Sequence, residues 1–163
     1  MLPPPLPPVS RRLAIDGITI GHGSDLVGKT GVTVILCPEG ALAAADLRGT
    51  ATGTRQFDSL IRAHGVATRV HAVVLAGGSG FGLAAADPVI EHLAARGHGF
   101  PTGVRPVPLV PTAILFDLAF GDSQAVPTRE LVEAAITGAA DGEIACGSVG
   151  AGTGATVGKA AGP

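Results

Sequence analysis

The chain has 163 residues, the size of a single domain, and 46% of them are hydrophobic. Its 11 Lys and Arg against 13 Asp and Glu give a net charge of −2, and it has no Tyr or Trp. This balance argues against a nucleic-acid partner, which needs a basic surface, and against a polybasic membrane anchor. The 25 glycines bury little area each, so we expect stability to require surface from further chain or from other subunits of a homo-oligomer.

The N-terminal residues 1–12 predict a proline-rich, disordered arm, because Pro3–Pro5, Pro7 and Pro8 favour an extended backbone without a packed core. The arm lacks the apolar run of a secretory signal, and no stretch is long enough for a membrane span. Cys37 and Cys146 are far apart and lack metal-ligand spacing, which is typical of small buried side chains in a reducing compartment. We therefore expect a cytoplasmic protein.

The body of the chain, residues 13–163, opens with a predicted meander of strands. The predicted elements are, in order, strands at 17–21, 31–37 and 41–47, a small-residue loop at 49–54 and a short helix at 57–61. The stretch 31–37 is rich in β-branched residues, which indicates a buried strand that Pro38 ends. If Pro38–Gly40 forms a hairpin, the next strand runs antiparallel to it.

The second half predicts an alternation of strands and helices. The predicted elements are a strand at 71–76, a glycine loop at 77–82, a helix that ends at Arg96 and Gly97, short strands at 107–110 and 113–116, and a helix at 128–140. Pro88 either kinks the first helix or occupies its first position after an Asp87 N-cap, and Thr128 can cap the second helix. Together these elements predict an α/β or α+β fold with helices covering a mixed sheet.

The glycine loop between strand and helix is the first candidate site. Gly77, Gly78, Ser79 and Gly80 could line a substrate pocket or an oxyanion site, or they could only permit a tight strand-to-helix crossing. The loop could also serve a non-catalytic anion-binding or assembly module, because a helix N-terminus attracts anions. The spacing for a dinucleotide site is met only in a relaxed form ending at Ala85, and the P-loop and nucleophile-elbow patterns are absent.

Two further groups of charged residues are weaker candidates. Asp46, Arg48, Arg55 and Asp58 flank a glycine loop, where they could form ion pairs or present an arginine to a substrate carboxylate. Lys159 follows a run of glycine and threonine, where it could be solvated or could stabilise an oxyanion. The histidines show no metal-ligand spacing, so we expect no metal site: His22, His64, His71, His92 and His98.

Six segments in order resemble the P1 (DmpA-type) peptidase family, also called S58, from Leu13 onward. They are 17–22 (GITIGH), 30–36 (TGVTVIL), 46–49 with 53–55 (DLRG, GTR), 74–82 with 85–87 (VLAGGSGFG, AAD), 107–111 with 114–117 (VPLVP, ILFD), and 147–159 (GSVGAGTGATVGK).

The resemblance implies an αββα sandwich of the DmpA and ornithine acetyltransferase type. It also implies an oligomeric hydrolase that cuts its own precursor ahead of a Ser or Thr, which becomes the nucleophile, with its α-amine as base. Such enzymes release N-terminal residues from small peptides or amides and need no cofactor.

The family pattern places its nucleophile and an oxyanion-site Asn beyond the last matching segment. We therefore expect this chain to be the N-terminal part of an α chain, a partial domain at 13–163 that carries no catalytic residue and is inactive alone. A complementary C-terminal β-chain segment would complete it. Gly121-Asp122-Ser123 imitates the nucleophile's context but comes too early in the family order, so we do not assign it. Lys159 matches a site-lining lysine of some relatives.

Overall fold

The computed structural model describes residues 9–61 and 67–159. The strands are β1 (Val9–Leu13), β2 (Thr19–Asp25), β3 (Thr30–Leu42), β4 (Thr54–Arg55), β5 (Arg69–Ala76), β6 (Phe100–Pro101), β7 (Pro106–Val107), β8 (Thr112–Ile114) and β9 (Gly142–Cys146). The α-helices are α1 (Asp58–Ile61), α2 (Ala86–Ala95) and α3 (Arg129–Thr137), and 3₁₀ helices span Ser79–Ala85 and Gly150–Gly152.

The centre of the molecule is a five-stranded mixed sheet in the order β2-β3-β5-β8-β4. The β5–β8 pair is parallel and the other neighbours are antiparallel. In β3 and β5, Val32, Val34 and Val74 are fully buried on one face of the sheet. Helices α2 and α3 cover that face and complete the hydrophobic core. Strand β2 lies close to α3 because Gly23 has no Cβ, which would otherwise overlap the carbonyl oxygen of Leu131.

The opposite face of the sheet is only partly covered by the described residues. Ile20, His22, Ile35 and Leu75 occupy this face because side chains alternate along each strand. Leu75 is 39% exposed, although it lies in the central strand β5. Within residues 9–61 and 67–159, the β1–β9 ribbon and the segment that follows it pack on part of this face, which we call the open sheet face.

The predicted hairpin at Pro38–Gly40 is wrong. Strand β3 continues to Leu42, and its register against β5 shifts between Leu36 and Ala41. Pro38 has no amide hydrogen, so the chain bulges around it instead of turning back. Beyond the bulge Ala41 and Leu42 still pair with β5, so 41–47 does not form a second strand.

The prediction of a disordered arm at residues 1–12 is wrong for Val9–Arg12. These residues belong to β1, which pairs antiparallel with β9 along its whole length. Residues 1–8 of the predicted arm lie outside the described residues. The strand forms because β9 offers a backbone ladder, a partner more than 120 residues away that local composition does not reveal.

The helix signals are confirmed with shifted boundaries, except that Asp87 lies inside the first turn of α2 and does not cap it. The Thr128 side chain accepts a hydrogen bond from Leu131 N, so it caps α3 as predicted, although the helix ends at Thr137 rather than at residue 140. The α2 helix starts at Ala86, directly after a 3₁₀ helix. Pro88 therefore sits within its first turn, where an absent amide hydrogen costs no helical bond.

Candidate functional site

The glycine loop connects β5 to the first 3₁₀ helix through a left-handed backbone. The backbone angle φ is 78° at Gly78 and 54° at Ser79, both in the left-handed region. Glycine adopts this region without strain because it has no side chain. A Cβ on Gly77 would overlap Asp117 Oδ2 and Thr30 Oγ1. The loop is therefore built for close approach of the backbone to neighbouring groups, as the tight-crossing interpretation requires.

A buried carboxylate organises this loop. Asp117 is 3% exposed, and its Oδ1 accepts a hydrogen bond from Gly78 N at 2.7 Å. Its Oδ2 accepts another from Thr30 Oγ1 at 2.8 Å. Asp117 thus joins the exit of β8, the glycine loop and the start of β3. Sequence reasoning missed this role, although Asp117 lies in one of the segments that carry the family resemblance.

The loop's first three amides all have partners within the protein. Gly77 N donates to Gly31 O at 2.8 Å, Gly78 N donates to Asp117, and Ser79 N donates to Leu115 O at 3.1 Å. A phosphate cradle needs such amides to be free to donate to the ligand. This arrangement disfavours the anion-binding alternative for the loop.

Five residues are predicted to line a substrate pocket or an oxyanion site. Four of them lie together in the structure, and the fifth, Lys159, lies apart. Gly77, Gly78, Ser79 and Gly80 are consecutive, and Ser79 is half-buried. Lys159 is exposed, and its Nζ donates to Thr156 O at 3.2 Å. None of the five lines the cavity described next, so their pocket-lining role stays a prediction for a larger assembly.

The glycine- and threonine-rich run 147–159 reaches the same corner as the glycine loop. A Cβ on Gly154 would lie 2.8 Å from the Cβ of Asp117, the residue that holds Gly78. The two glycine motifs that the sequence separates by about 70 positions therefore meet around one carboxylate.

A cavity of about 430 Å³ lies between the open sheet face and the segment that follows β9. Its volume is in the range of small-molecule sites. It is lined by Ile20, His22, Thr33, Ile35, Leu75, Ala76, Ala113, Ile114, Leu115, Ile144, Ala145, Cys146, Gly147, Val149, Ala151 and Gly152. Among the residues that the structure describes, the lining is mainly aliphatic and contains no Asp, Glu, Lys or Arg. We call this space the sheet-face cavity.

His22 is the most polar side chain in the wall of the sheet-face cavity. Its Nδ1 lies 3.0 Å from Thr33 Oγ1, which also accepts a hydrogen bond from Ala151 N at 3.1 Å. Its Nε2 is buried and has no hydrogen-bond partner among residues 9–61 and 67–159. A buried polar atom without a partner costs about 1–3 kcal/mol, so this nitrogen marks a place where a further group would be stabilising.

Arg48 and Arg55, which flank the small-residue loop at 49–54, form ion pairs. This is one of the two roles that the sequence predicts for them. Arg48 Nε lies 2.6 Å from Asp46 Oδ2 at an exposed site. Arg55 pairs with Asp87 Oδ1 at 2.8 Å, rather than with Asp58, and also donates to Leu83 O. Arg55 therefore fastens β4 to the start of α2.

His71 and Cys37 are buried among residues of the fold, in environments typical of structural side chains. His71 Nδ1 accepts a hydrogen bond from Leu109 N, and burial, with a smaller contribution from His98, lowers the pKa of His71. Burial raises the pKa of the Cys37 thiol, and both cysteines are free. His64 lies outside the described residues.

The described part of the chain shows neither a cluster of metal ligands nor a membrane-spanning helix. It contains no group of three or more His, Cys, Asp or Glu placed to hold a metal ion. Within residues 9–61 and 67–159, no helix combines the length and the apolar character needed to cross a membrane.

Comparison with known families gives a match over nearly the whole chain. The sequence model described as "Peptidase family S58" matches residues 13–162. An uncharacterised aminopeptidase of Mycobacterium leprae is 41% identical over 167 residues, which cover 93% of this chain and 46% of the relative. A 6-aminohexanoate-oligomer endohydrolase of Paenarthrobacter ureafaciens is 36% identical over 152 residues, 91% of this chain and 39% of the relative. The chain thus spans less than half the length of these relatives.

A solved structure shares the fold. A β-aminopeptidase from Burkholderia sp. superimposes with a TM-score of 0.56 at 21% sequence identity, over 86% of this chain and 41% of that protein. The predicted fold class is confirmed, because the mixed sheet with helices on one face matches part of that α/β architecture.

Proposed function

The chain belongs to peptidase family S58, and we propose that it is the N-terminal, α-chain part of an autoprocessing hydrolase that releases N-terminal residues from small peptides or amides. The names of the relatives, aminopeptidases and an oligomer endohydrolase, support an amide bond as the target. The chain spans less than half of those relatives, which supports a larger catalytic unit.

The open sheet face is the observation that carries this proposal. An apolar sheet face is stable when another layer covers it, yet Leu75 on this face of the central strand remains 39% exposed. A second sheet packed on this face would bury the apolar side chains that alternate along β2, β3 and β5. The proposed partner is therefore a complementary C-terminal, β-chain segment.

The proposed division of labour assigns the chemistry to that segment. Its N-terminal Ser or Thr hydroxyl would attack the amide carbonyl while its own α-amine takes the hydroxyl proton. The protonated α-amine gives that proton to the departing amine, and water then hydrolyses the acyl ester and restores the hydroxyl. In this scheme the present chain is scaffold: Gly77–Gly80 and Lys159 line the substrate pocket, and Asp117 holds the loop in shape.

We further propose a cytoplasmic homo-oligomer that acts without a cofactor. The two free cysteines support a reducing compartment. The glycine-rich composition supports assembly, because small side chains bury little apolar area within one subunit.

Assay of the purified chain with aminoacyl p-nitroanilides tests the proposal. The chain alone is expected to release no p-nitroaniline above a buffer blank, while the full-length Mycobacterium leprae relative, assayed beside it, defines the signal of an intact enzyme. Release by the chain alone would show that it contains its own nucleophile and would overturn the proposed division of labour.

A further inference from the structure

Large apolar side chains are exposed at one edge of the central sheet. Strands β5 and β8, which are parallel, end at this edge, and β3, which runs antiparallel to β5, starts there. The exposed side chains lie in the connections next to these strand ends and in the run 147–159. We call them the apolar edge, and they are between 48% and 99% exposed: Leu26, Val27, Phe81, Phe116, Phe120 and Val157.

Backbone hydrogen bonds hold these connections beside one another. Ser79 N donates to Leu115 O at 3.1 Å, so the glycine loop and the segment that follows β8 are neighbours. Asp122 N donates to Gly28 O at 3.2 Å, so the same segment also borders the turn between β2 and β3. The apolar edge therefore occupies one region of the surface, next to the candidate glycine loop.

The composition of this region is typical of an interaction surface. A single exposed hydrophobic residue is ordinary, whereas a group of them marks a place where another molecule or segment docks. Three of the five phenylalanines of the chain belong to the apolar edge. Aromatic side chains contribute much of the binding energy when an interface covers them, because each removes a large apolar area from water.

The run 147–159 indicates which partner this region fits. Gly154 packs closely against Asp117, the residue that holds the glycine loop, and Val157 is 99% exposed three positions later. Under the proposed function the complementary segment follows this run in chain order, so its polypeptide starts beside the apolar edge. Its nucleophile must also reach the substrate pocket assigned to Gly77–Gly80, which adjoins the same edge.

We propose that the apolar edge docks the complementary C-terminal segment, with Phe81, Phe116 and Phe120 as the main contacts. The inference rests on the proposed function, which assigns only the open sheet face to that segment, and it adds a second contact surface at the end of the sheet. A segment that fits here presents apolar side chains of its own. Docking on both surfaces would hold its nucleophile beside the glycine loop.

Co-purification of the full, tagged chain with the part of the Mycobacterium leprae aminopeptidase that it does not cover tests this proposal. Replacing two aromatic contacts together, Phe116→Ser with Phe120→Ser, is expected to lower the recovery of that partner at least about tenfold. The control, Leu42→Ser with Val104→Ser, removes two side chains that are 75% and 93% exposed and lie away from the apolar edge. It is expected to leave recovery unchanged.

Amide hydrogen exchange of the wild-type chain is a second measurement that needs no variant. Residues 79–82 and 116–122 are expected to exchange at least about tenfold more slowly in the complex than in the chain alone, because a docked segment shields their amides from water. The turn at 102–105, which contains the exposed control residue Val104, is expected to exchange at the same rate in both.

The results that overturn this inference differ from those that overturn the proposed function. Unchanged recovery with the two serine substitutions, or unchanged exchange at 79–82 and 116–122, would overturn the inference while association of the two pieces still supports the proposed function. Self-association of the chain through Phe116 and Phe120, with the partner still recovered by the serine variant, would assign the apolar edge to a second copy and overturn it too. Wild-type pieces that do not associate would overturn both.

Discussion

The carboxylate of Asp117 accepts a hydrogen bond from the backbone amide of Gly78 at 2.7 Å, across 39 positions of the chain. Its second oxygen accepts from Thr30, so one buried side chain joins the glycine loop to two strands. Hydrogen bonds to a carboxylate are stronger than neutral ones, so Asp117 is a strong constraint on the conformation of this loop.

The first prediction concerns Asp117. The Asp117→Asn variant keeps the shape but removes the charge and replaces one acceptor oxygen with a donor group, so it is expected to lower the free energy of unfolding by about 2 kcal/mol. Urea denaturation followed by circular dichroism measures this. Asp122→Asn, in an exposed turn, is the control and is expected to change stability little. Equal stability of the Asp117 variant and wild type would contradict the assigned role.

The second prediction compares two glycines of the same loop. Gly77→Ala places a methyl group against Asp117 and Thr30, and we expect it to cost about 2 kcal/mol or more through overpacking. Gly80→Ala meets no atom within 4 Å and is expected to stay close to wild type. Thermal denaturation of both variants makes the comparison. A neutral Gly77→Ala would show that the loop can move away from Asp117.

The third prediction concerns pH. His71 is buried, its Nδ1 accepts from Leu109 N, and its pKa is lowered from 6.5 mainly by burial. Below pH 6.5 the unfolded chain therefore takes up a proton that the folded chain resists. The contribution of neutral His71 to stability is present above that pH and is lost as the pH falls towards the folded pKa.

Urea denaturation at pH 7.5, 6.5 and 5.5 checks this dependence. The His71→Asn variant retains an acceptor oxygen but does not titrate, so its stability is expected to fall less between pH 7.5 and 5.5. The pKa of His92 is also lowered, so His92→Asn serves as the comparison and keeps the His71 contribution. A His71→Asn profile parallel to that of wild type would contradict the assignment.

The fourth prediction separates the two thiols. Cys37 is buried, its Sγ donates to Val70 O, and burial raises its pKa, so little reactive thiolate forms. Cys146 is half-buried and lines the sheet-face cavity. With a thiol-reactive dye, Cys146→Ser is expected to abolish the faster labelling phase and Cys37→Ser to preserve it. Faster labelling of Cys37 would argue against the buried environment.

Local signals in the sequence predicted the elements whose causes are local. The β-branched stretch 31–37 forms the buried centre of β3, and Thr128 caps α3 through its own hydroxyl. The β1–β9 pairing was missed because each strand depends on a partner at the other end of the chain. A bulge at Pro38 looks like a hairpin in sequence, because Pro and Gly signal both.

The candidate site was predictable only in part, because some of its contacts join segments that are distant in the sequence. The pattern of strand, glycine loop and helix identified the loop as a candidate, since its residues are consecutive. The partnership of Asp117 with Gly78 and the unpartnered nitrogen of His22 arise from contacts between distant segments. No spacing rule connects such residues, so neither role was visible before the fold was known.

Reconstitution tests the central claim most directly. The chain would be co-expressed with the part of the Mycobacterium leprae aminopeptidase that it does not cover, purified through a tag on one piece, and assayed with aminoacyl p-nitroanilides. The account predicts that the two pieces purify together and release p-nitroaniline, while each piece alone is inactive. Failure of the pieces to associate, with hydrolysis by the 163-residue chain alone, would contradict it.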